Sequence, residues 1–507
     1  MAGDTQYVLG IDAGTGGLRA GLFDLRGRPV GFDEQSYATA YPLPGRAEQR
    51  PEEWWQALVS AVRRCLAAAA VDPARVIGLA IDAPANILLV DQEGAPLTPG
   101  LLWMDLRATP QAERLTATHD PVLRYCGGTV PAEWPLPKVL WLKEQEPAHW
   151  QRATLVVETM SWLTWRLTGV WTLGLCSAVC KWHYRPGSGW PISLLHAVGL
   201  DDLIERVPAS VLPMGGLAGT LTAEAAQALG LTTATTVSVS GIDAHAGMVG
   251  INALEPGTLA LIMGSSTCQL ALSQEPIFDD GIWGPFESAV VPGAWVAEAG
   301  QASTGSTVRW LIDLVDGTAL GSPPAGDRYA RVEALAAAVP PGAAGLTLLD
   351  HWQGSRTPIR DANARGAITG LTLAHGPGHL LRAVYEGTAY GNRRVLSCLA
   401  DLGVPIARII ACGGGTRSRL WLQILADVAG IAIELTDAPD AVTLGSAICA
   451  AVGAGAYADL QSAAGAMVRS AAPIRPDEHL GDTYDRGYSR YIATYDALHR
   501  VRVAHGE

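Results

Sequence analysis

LGIDAGTGGLRAGLFD, residues 9–24, is the stretch on which the fold turns. A short apolar strand, Tyr7 to Ile11, runs into the turn Asp12-Ala13-Gly14-Thr15-Gly16-Gly17 and returns through a second apolar segment, Leu18 to Asp24, closing at Arg26-Gly27. Two apolar runs joined by a glycine turn spell a β-hairpin. The same order recurs 250 positions later, with Leu259 to Met263, then Gly264-Ser265-Ser266-Thr267, then Cys268 to Leu272, so that Gly14 matches Gly264 and Thr15 matches Ser265. The repeat is short, and duplication and chance account for it equally well. Its chemistry is more informative, because both turns carry small residues whose backbone N–H groups can converge on a phosphate.

Working outward, Val76 to Ile81, Thr154 to Val157 and Thr236 to Val239 read as strands, and Pro51 to Ala70 and Pro137 to Glu144 as helices. Ile406 to Cys412 is an apolar run that breaks into Gly413-Gly414-Gly415-Thr416 and resumes as a helix over Leu420 to Val428; Tyr484 to His499 reads as a terminal helix. Alternating strands and helices make an α/β chain of two halves. The boundary is expected at residues 1–250 and 251–507, with a hinge near 240–256.

Composition removes several function classes. The 507 residues are half apolar, with 36 basic against 49 acidic side chains, a net charge of −13 that argues against nucleic acid as a partner. Only Lys138, Lys143 and Lys181 are lysines and none follows a glycine, so a P-loop is excluded. No protein-kinase V-A-I-K or H-R-D signature appears, nor a Gly-x-Ser-x-Gly elbow. Eight cysteines without a CxxC pair, and an N-terminus without a secretory pattern, fit a reducing cytoplasm. Ala441 to Ala458 carries no charge, yet its Ala, Gly, Ser and Thr content between Asp440 and Asp459 predicts a buried helix and no membrane span. Cys176, Cys180 and His183 have a suggestive spacing, but no fourth ligand stands nearby, so no zinc site is expected.

Three motifs carry candidate chemistry. Asp12, entering the first glycine turn, suits either orientation of a hydrated Mg²⁺ beside phosphates or an Asx-type turn. Asp243, in Ser240-Gly-Ile-Asp-Ala-His245 past a strand, suits either acceptance of a hydroxyl proton or a helix cap. The Gly413 to Ser418 turn lets backbone approach a flat ligand, or is a ligand-free strand-to-helix link. Among the 16 tryptophans, Trp103 is a candidate platform for a sugar ring.

In their order, these segments resemble the FGGY family of carbohydrate kinases. LGIDAGTGGLRAGLFD is similar to the family's first phosphate hairpin, LALIMGSSTCQL to its second, SGIDAHAG to the segment of its catalytic base, and ACGGGTRSRLWLQILADVAG to its adenosine site. Pro135 to Glu144 and Gly366 to Glu386 match further signatures. Ala132-Glu133-Trp134, Cys176 to Trp182, Gly281 to Pro285, Glu298 to Gln301 and Gln353 to Pro358 resemble the ribulokinase branch. Gly17 stands where the family often has Ser, the Ala83-Pro84-Ala85-Asn86 loop differs from its usual form, and Leu106 replaces a polar residue.

The resemblance implies two ribonuclease H-like domains of the actin/Hsp70/sugar kinase superfamily, with a cleft that closes on sugar. It implies transfer of the γ-phosphoryl group of ATP, with Mg²⁺, to a terminal hydroxyl of a ketopentose, ribulose foremost; xylulose, ribitol or a tetritol are alternatives, as is a non-catalytic ATP switch. Asp243 is implied as general base, and Asp12 with Asp243 as Mg²⁺ ligands. Gly14, Thr15, Gly16, Gly264, Ser265 and Ser266 are implied at the phosphates, and Gly414, Gly415 and Ser418 at the adenosine. Ala85, Trp103, Asp105, Glu133, Lys181, Asp243 and Glu298 are implied at the sugar. Its partners are then small molecules, a sugar or polyol and ATP, with room for a homodimer.

Overall fold

The computed structural model describes residues 5–315 and 328–505. The first sheet is built from β1 (Tyr7–Ala13), β2 (Gly17–Asp24), β3 (Pro29–Ser36), β4 (Val76–Asp82), β5 (Leu217–Thr220) and β6 (Thr236–Val239), in the spatial order β5-β6-β4-β1-β2-β3. The second comprises β7 (Thr258–Met263), β8 (Thr267–Ser273), β9 (Trp283–Glu287), β10 (Trp295–Gln301), β11 (Arg408–Cys412) and β12 (Ile433–Glu434), in the order β9-β10-β8-β7-β11-β12. Each sheet opens with an antiparallel hairpin whose first strand also pairs in parallel with a later one, β1 with β4 and β7 with β11. The hairpin echo in the sequence is thus a repeated topology, the ribonuclease H-like arrangement of the actin/Hsp70/sugar kinase superfamily.

Local chemistry explains the elements. Central β1 is buried on both faces after its first residue and has the continuous apolar run such a strand needs, whereas β3 alternates exposed and half-buried residues as an edge strand does. Helix α1 (Pro51–Ala69) starts with proline in its first turn, carries Glu52 and Glu53 where the helix dipole favours acids, and buries Trp54, Ala57, Leu58, Ala61, Val62 and Cys65 at helical spacing. A smaller sheet, ordered Glu48–Gln49, Gly100–Leu101, Ile87–Val90, Leu155–Glu158, braces the loops beyond β4. Most segment boundaries fall within one or two residues of expectation; the terminal helix is longer, Gly481–His505.

Four further helices frame the cleft: α2 (Leu175–Lys181), α3 (Asp243–Gly250), α4 (Arg419–Ala429) and α5 (Ala441–Gly453). The uncharged stretch is α5, which ends at Gly453 and not at Ala458; Asp459 instead caps the following helix, Leu460–Met467. No helix among the described residues is long and apolar enough to cross a membrane. The small residues of α5 have a packing reason. Although it lies late in the chain, α5 packs on β1, β4 and α3 of the first half. A Cβ on Gly10 would stand 1.7 Å from the Thr443 carbonyl oxygen, one on Gly250 1.7 Å from that of Ala441, and one on Gly445 1.8 Å from that of Ala246. Backbone therefore meets backbone where the halves cross. Gly445→Ala is expected to lower the unfolding free energy by about 1–3 kcal/mol, the usual cost of overpacking, as read by denaturant titration; unchanged stability would mean the crossing is looser than drawn.

Candidate active site

A cavity of about 690 Å³ opens between the two sheets. One end is lined by Pro84, Ala85, Trp103, Glu133, Trp134, Lys181, Cys268, Trp283, Glu298 and Arg356. The other is lined by Ala411 to Gly414, Thr416, Arg417 and the segment from Leu435 to Val442. Asp243, at the first turn of α3, lies on its wall with Gly264 and Ser266. Nine of the residues implied by the resemblance line this space: Ala85, Trp103, Glu133, Lys181, Asp243, Gly264, Ser266, Glu298 and Gly414.

At the polar end, Lys181 closes α2 and its Nζ lies 3.2 Å from Glu298 Oε2 on β10, an ion pair made between the halves. Burial pushes Glu298 upward, but the Lys181 ammonium, helped by His245 and Arg356, outweighs that and holds the carboxyl below its ordinary range. Burial likewise pulls Lys181 down, and Glu298 raises it above the ordinary lysine value. The ammonium also sits 5.2 Å from the ring centres of both Trp134 and Trp283, so its apolar surroundings are aromatic faces that favour a cation. Behind it, buried Glu158 accepts hydrogen bonds from Ser177 Oγ at 2.5 Å and Trp182 Nε1 at 2.8 Å, fixing both ends of α2. Burial pushes Glu158 up to about 7.

A lysine beneath the site holds the opposite wall. Buried Lys138 donates to the carbonyls of Leu102, Trp103 and Glu133 at 2.5, 3.0 and 2.8 Å, so one ammonium sets the backbone of two wall residues. Trp103 Nε1 in turn donates to Thr15 Oγ1 at 3.0 Å. The hydroxyl of Thr15 therefore faces the aromatic wall, while its carbonyl accepts from Gln49 and that of Gly14 from the Tyr37 hydroxyl. Gly16 is exposed at the tip of the turn with open space around it.

Several expected residues sit elsewhere. Asp105 is fully buried and does not line the cavity; its oxygens accept from Arg107 and from the Ala47 amide at 2.7 Å. Leu106 is exposed away from the cavity, and Asn86 turns back to accept the Trp103 amide at 2.8 Å, leaving Pro84 and Ala85 as the loop's face. The Ser265 carbonyl receives the amides of Thr304 and Ser306 at 3.1 and 3.0 Å, and the Gly264 amide is taken by the Ser266 carbonyl at 2.9 Å. Gly414 faces open space, whereas a Cβ on Gly415 would stand 2.9 Å from Met263, so Gly415 is a packing position. Ser418 caps α4 by accepting the Trp421 amide at 3.2 Å, and a short 3-10 turn, Gly414–Arg417, separates the glycines from the helix.

An acidic cluster lies between the two ends. Asp12, at the end of β1, is fully buried and paired with Arg19, which also reaches Asp440 at the start of α5. Burial pushes Asp12 up to about 7; Arg19 opposes this, while the charges of Asp440 and Asp243 add to it. Asp82, its parallel-strand partner on β4, is pushed well up by burial and by Asp12, and its Oδ2 accepts from Ser446 of α5 at 2.6 Å. Oδ1 of Asp12 and Oδ1 of Asp82 are buried with no hydrogen-bond partner. Bare carboxylate oxygens on adjacent strands, with Asp243 and Asp440 nearby, are the hard donor set that suits Mg²⁺. Asp82, Arg19, Asp440, Arg356, Trp134 and Trp283 were not singled out from the sequence as site residues. Only Arg19, inside the decisive hairpin, and Trp134, Trp283 and Arg356, inside quoted motifs, carried a signal.

A sequence model of the N-terminal domain of the FGGY family of carbohydrate kinases matches residues 7–250, and one of its C-terminal domain matches residues 259–454. The chain belongs to the FGGY family. It is 31% identical to the FGGY carbohydrate kinase domain-containing protein of Homo sapiens, over 96% of each chain. It is 30% identical to the ribulokinase of Geobacillus thermodenitrificans, over 98% of this chain and 95% of that one. The crystal structure of xylulose kinase from Rhodospirillum rubrum superposes with a TM-score of 0.85 at 29% identity, over 98% of this chain and 99% of the other. As an FGGY kinase the protein uses ATP to phosphorylate a sugar hydroxyl; these relatives do not separate ribulose from xylulose.

Proposed function

We propose that this FGGY kinase phosphorylates a terminal hydroxyl of a ketopentose, ribulose in preference to xylulose, with Asp243 as general base. The observation that carries the reading is one cavity whose lining brings Asp243 together with the Lys181–Glu298 pair, the Trp134 and Trp283 rings and the Gly413–Gly414 turn. Lys181, Glu298 and Glu133 supply donors and acceptors for sugar hydroxyls, and Trp103, Trp134 and Trp283 supply apolar faces for its carbon chain. Gly414, Thr416 and Arg417 take the nucleotide end, and the turns at Gly14–Gly16 and Gly264–Ser266 flank the phosphates. The two halves that meet here are the units 1–250 and 251–507.

In the reaction, Asp243 accepts the proton of the sugar hydroxyl as that oxygen forms its bond to the γ-phosphorus. The bond from phosphorus to the bridging oxygen breaks on the opposite side, and ADP leaves with the electron pair. Burial pushes Asp243 upward, and the Ala244 amide, donating to Oδ1 at 2.8 Å, limits that rise and fixes the carboxylate. A carboxylate raised in this way is a stronger proton acceptor than a free aspartate. Asp12 and Asp82, with Asp243 reaching through water, would hold a hydrated Mg²⁺, whose charge neutralises the phosphates. Arg19 keeps Asp12 and Asp440 oriented beside them.

The deciding experiment is coupled ADP release across D- and L-ribulose, D- and L-xylulose, ribitol and tetritols. The highest kcat/KM is expected with a ribulose. A xylulose at the top would replace the substrate while leaving the mechanism, and turnover of none with intact ATP binding would favour a nucleotide switch.

A further inference from the structure

Beneath the cavity, Cys176 and Cys180 lie one turn apart on α2 and face His245 in the first turn of α3. All three are buried, and their ligand atoms lie within 4.8 Å of one another, a grouping of His, Cys, Asp and Glu that stands alone among the described residues at this spacing. His183, the histidine nearest in sequence, is not the third member; it packs its ring against Trp134. We propose that Cys176, Cys180 and His245 bind a Zn²⁺ ion, and that the occupied site shuts down phosphoryl transfer.

The dimensions support a metal. Cys180 Sγ stands 3.5 Å from His245 Nε2. In a tetrahedral site with Zn–S near 2.3 Å and Zn–N near 2.0 Å, the sulfur-to-nitrogen edge is about 3.5 Å. The sulfur-to-sulfur edge of that tetrahedron is about 3.8 Å, and the two sulfurs here lie within 4.8 Å of each other. Two thiolates and an imidazole are soft to borderline donors, so the site selects Zn²⁺ against the Mg²⁺ that accompanies nucleotide. Of the three ligands, His245 alone lines the cavity, so the ion would enter past it and a water from that side would complete the four-coordinate site.

The coupling to activity follows from the chain. Asp243 is two residues before His245 on α3, and Lys181 follows Cys180 on α2. An ion joining these helices clamps together the proposed base and the proposed sugar lysine, and prevents their independent adjustment as the halves close. Metal binding stands by itself; inhibition rests on the kinase reading above.

The test titrates reduced, metal-free full-length protein with Co²⁺ and then displaces it with Zn²⁺. One equivalent with thiolate-to-cobalt absorption in the near ultraviolet is expected. Cys176→Ser and Cys180→Ser should each weaken binding by at least about 100-fold, beyond the 10–100-fold typical of losing an outer-shell partner. Both variants should keep Mg·ATP turnover on the preferred sugar and escape the inhibition that one equivalent of Zn²⁺ produces in the parent. X-ray absorption on the Zn²⁺-loaded parent needs no variant and should show two sulfurs. An oxygen and nitrogen shell only, absence of thiolate absorption, or inhibition unchanged in the serine variants would overturn the proposal and leave a hydrogen-bonded thiol–imidazole cluster. Cobalt binding in a protein that turns over no sugar would instead remove the kinase reading and leave the metal site standing.

Discussion

Asp243→Asn should reduce turnover by at least about 100-fold, the low end of a general-base contribution, while ADP and sugar bind nearly as before. The substitution is close to isosteric, and the side-chain oxygen can still accept the Ala244 amide that now holds Oδ1 at 2.8 Å, so α3 keeps its first turn. What disappears is an acceptor for the sugar proton. The environment is arranged for that acceptor, since burial pushes its carboxyl upward, and the amide bond, His245 and Lys181 keep the rise in check. Rapid-quench measurement of the phosphorylated sugar separates the chemical step from product release, and calorimetry with ADP checks the nucleotide end. A variant with more than a tenth of parental turnover would take the base role from Asp243. Loss of ADP affinity in parallel would mean that the carboxylate serves the metal more than the proton.

Much of this arrangement is legible in the sequence, for local reasons. The hairpins at Asp12 and Gly264 were legible because a turn between two apolar runs is encoded within a dozen residues. The burial of α5 was legible because an uncharged run rich in small residues needs close packing on all sides. What the sequence could not display was distance. Asp82 ends β4 as any strand-end aspartate would, and only its parallel register with Asp12 makes the two a pair of bare oxygens. Cys176 and Cys180 were visible one helical turn apart, but their partner lies 65 residues from Cys180 on another helix. Asp105 shows how a motif can be read without its neighbours. A motif suggested a sugar contact, whereas Arg107, two residues on, folds back to occupy its carboxylate together with the Ala47 amide.

Lys181→Met should have the second large effect, in two separable readouts. The parent pair is nearly buried, with 12% of the lysine side chain and 10% of the Glu298 side chain exposed, so removing one partner leaves a charge on a largely aromatic wall of the cavity. Breaking such a pair typically costs about 3–5 kcal/mol, because the abandoned carboxylate keeps its desolvation penalty. Water that fills the open cavity will moderate that figure. The sugar KM should rise by two orders of magnitude or more, about 1.4 kcal/mol per tenfold, while the ATP KM changes little, since the nucleotide walls at Gly414 and Arg417 lie at the other end. Stability gives the second readout through pH. In the parent, the Lys181 ammonium, with His245 and Arg356, keeps the folded-state value of Glu298 below its ordinary 4.5, so this group's contribution is present above that value and is lost on acidification. Without Lys181, burial raises the folded-state value above the unfolded one, and the sign reverses. The variant's contribution from Glu298 is then full below pH 4.5 and is lost as pH rises through the new folded value. Denaturant midpoints measured between pH 4 and 8 should therefore diverge, with the parent gaining on the variant as pH increases. Equal increases in both Michaelis constants, or midpoints that run parallel across that range, would show that the pair between the halves neither grips the sugar nor sets the charge of Glu298.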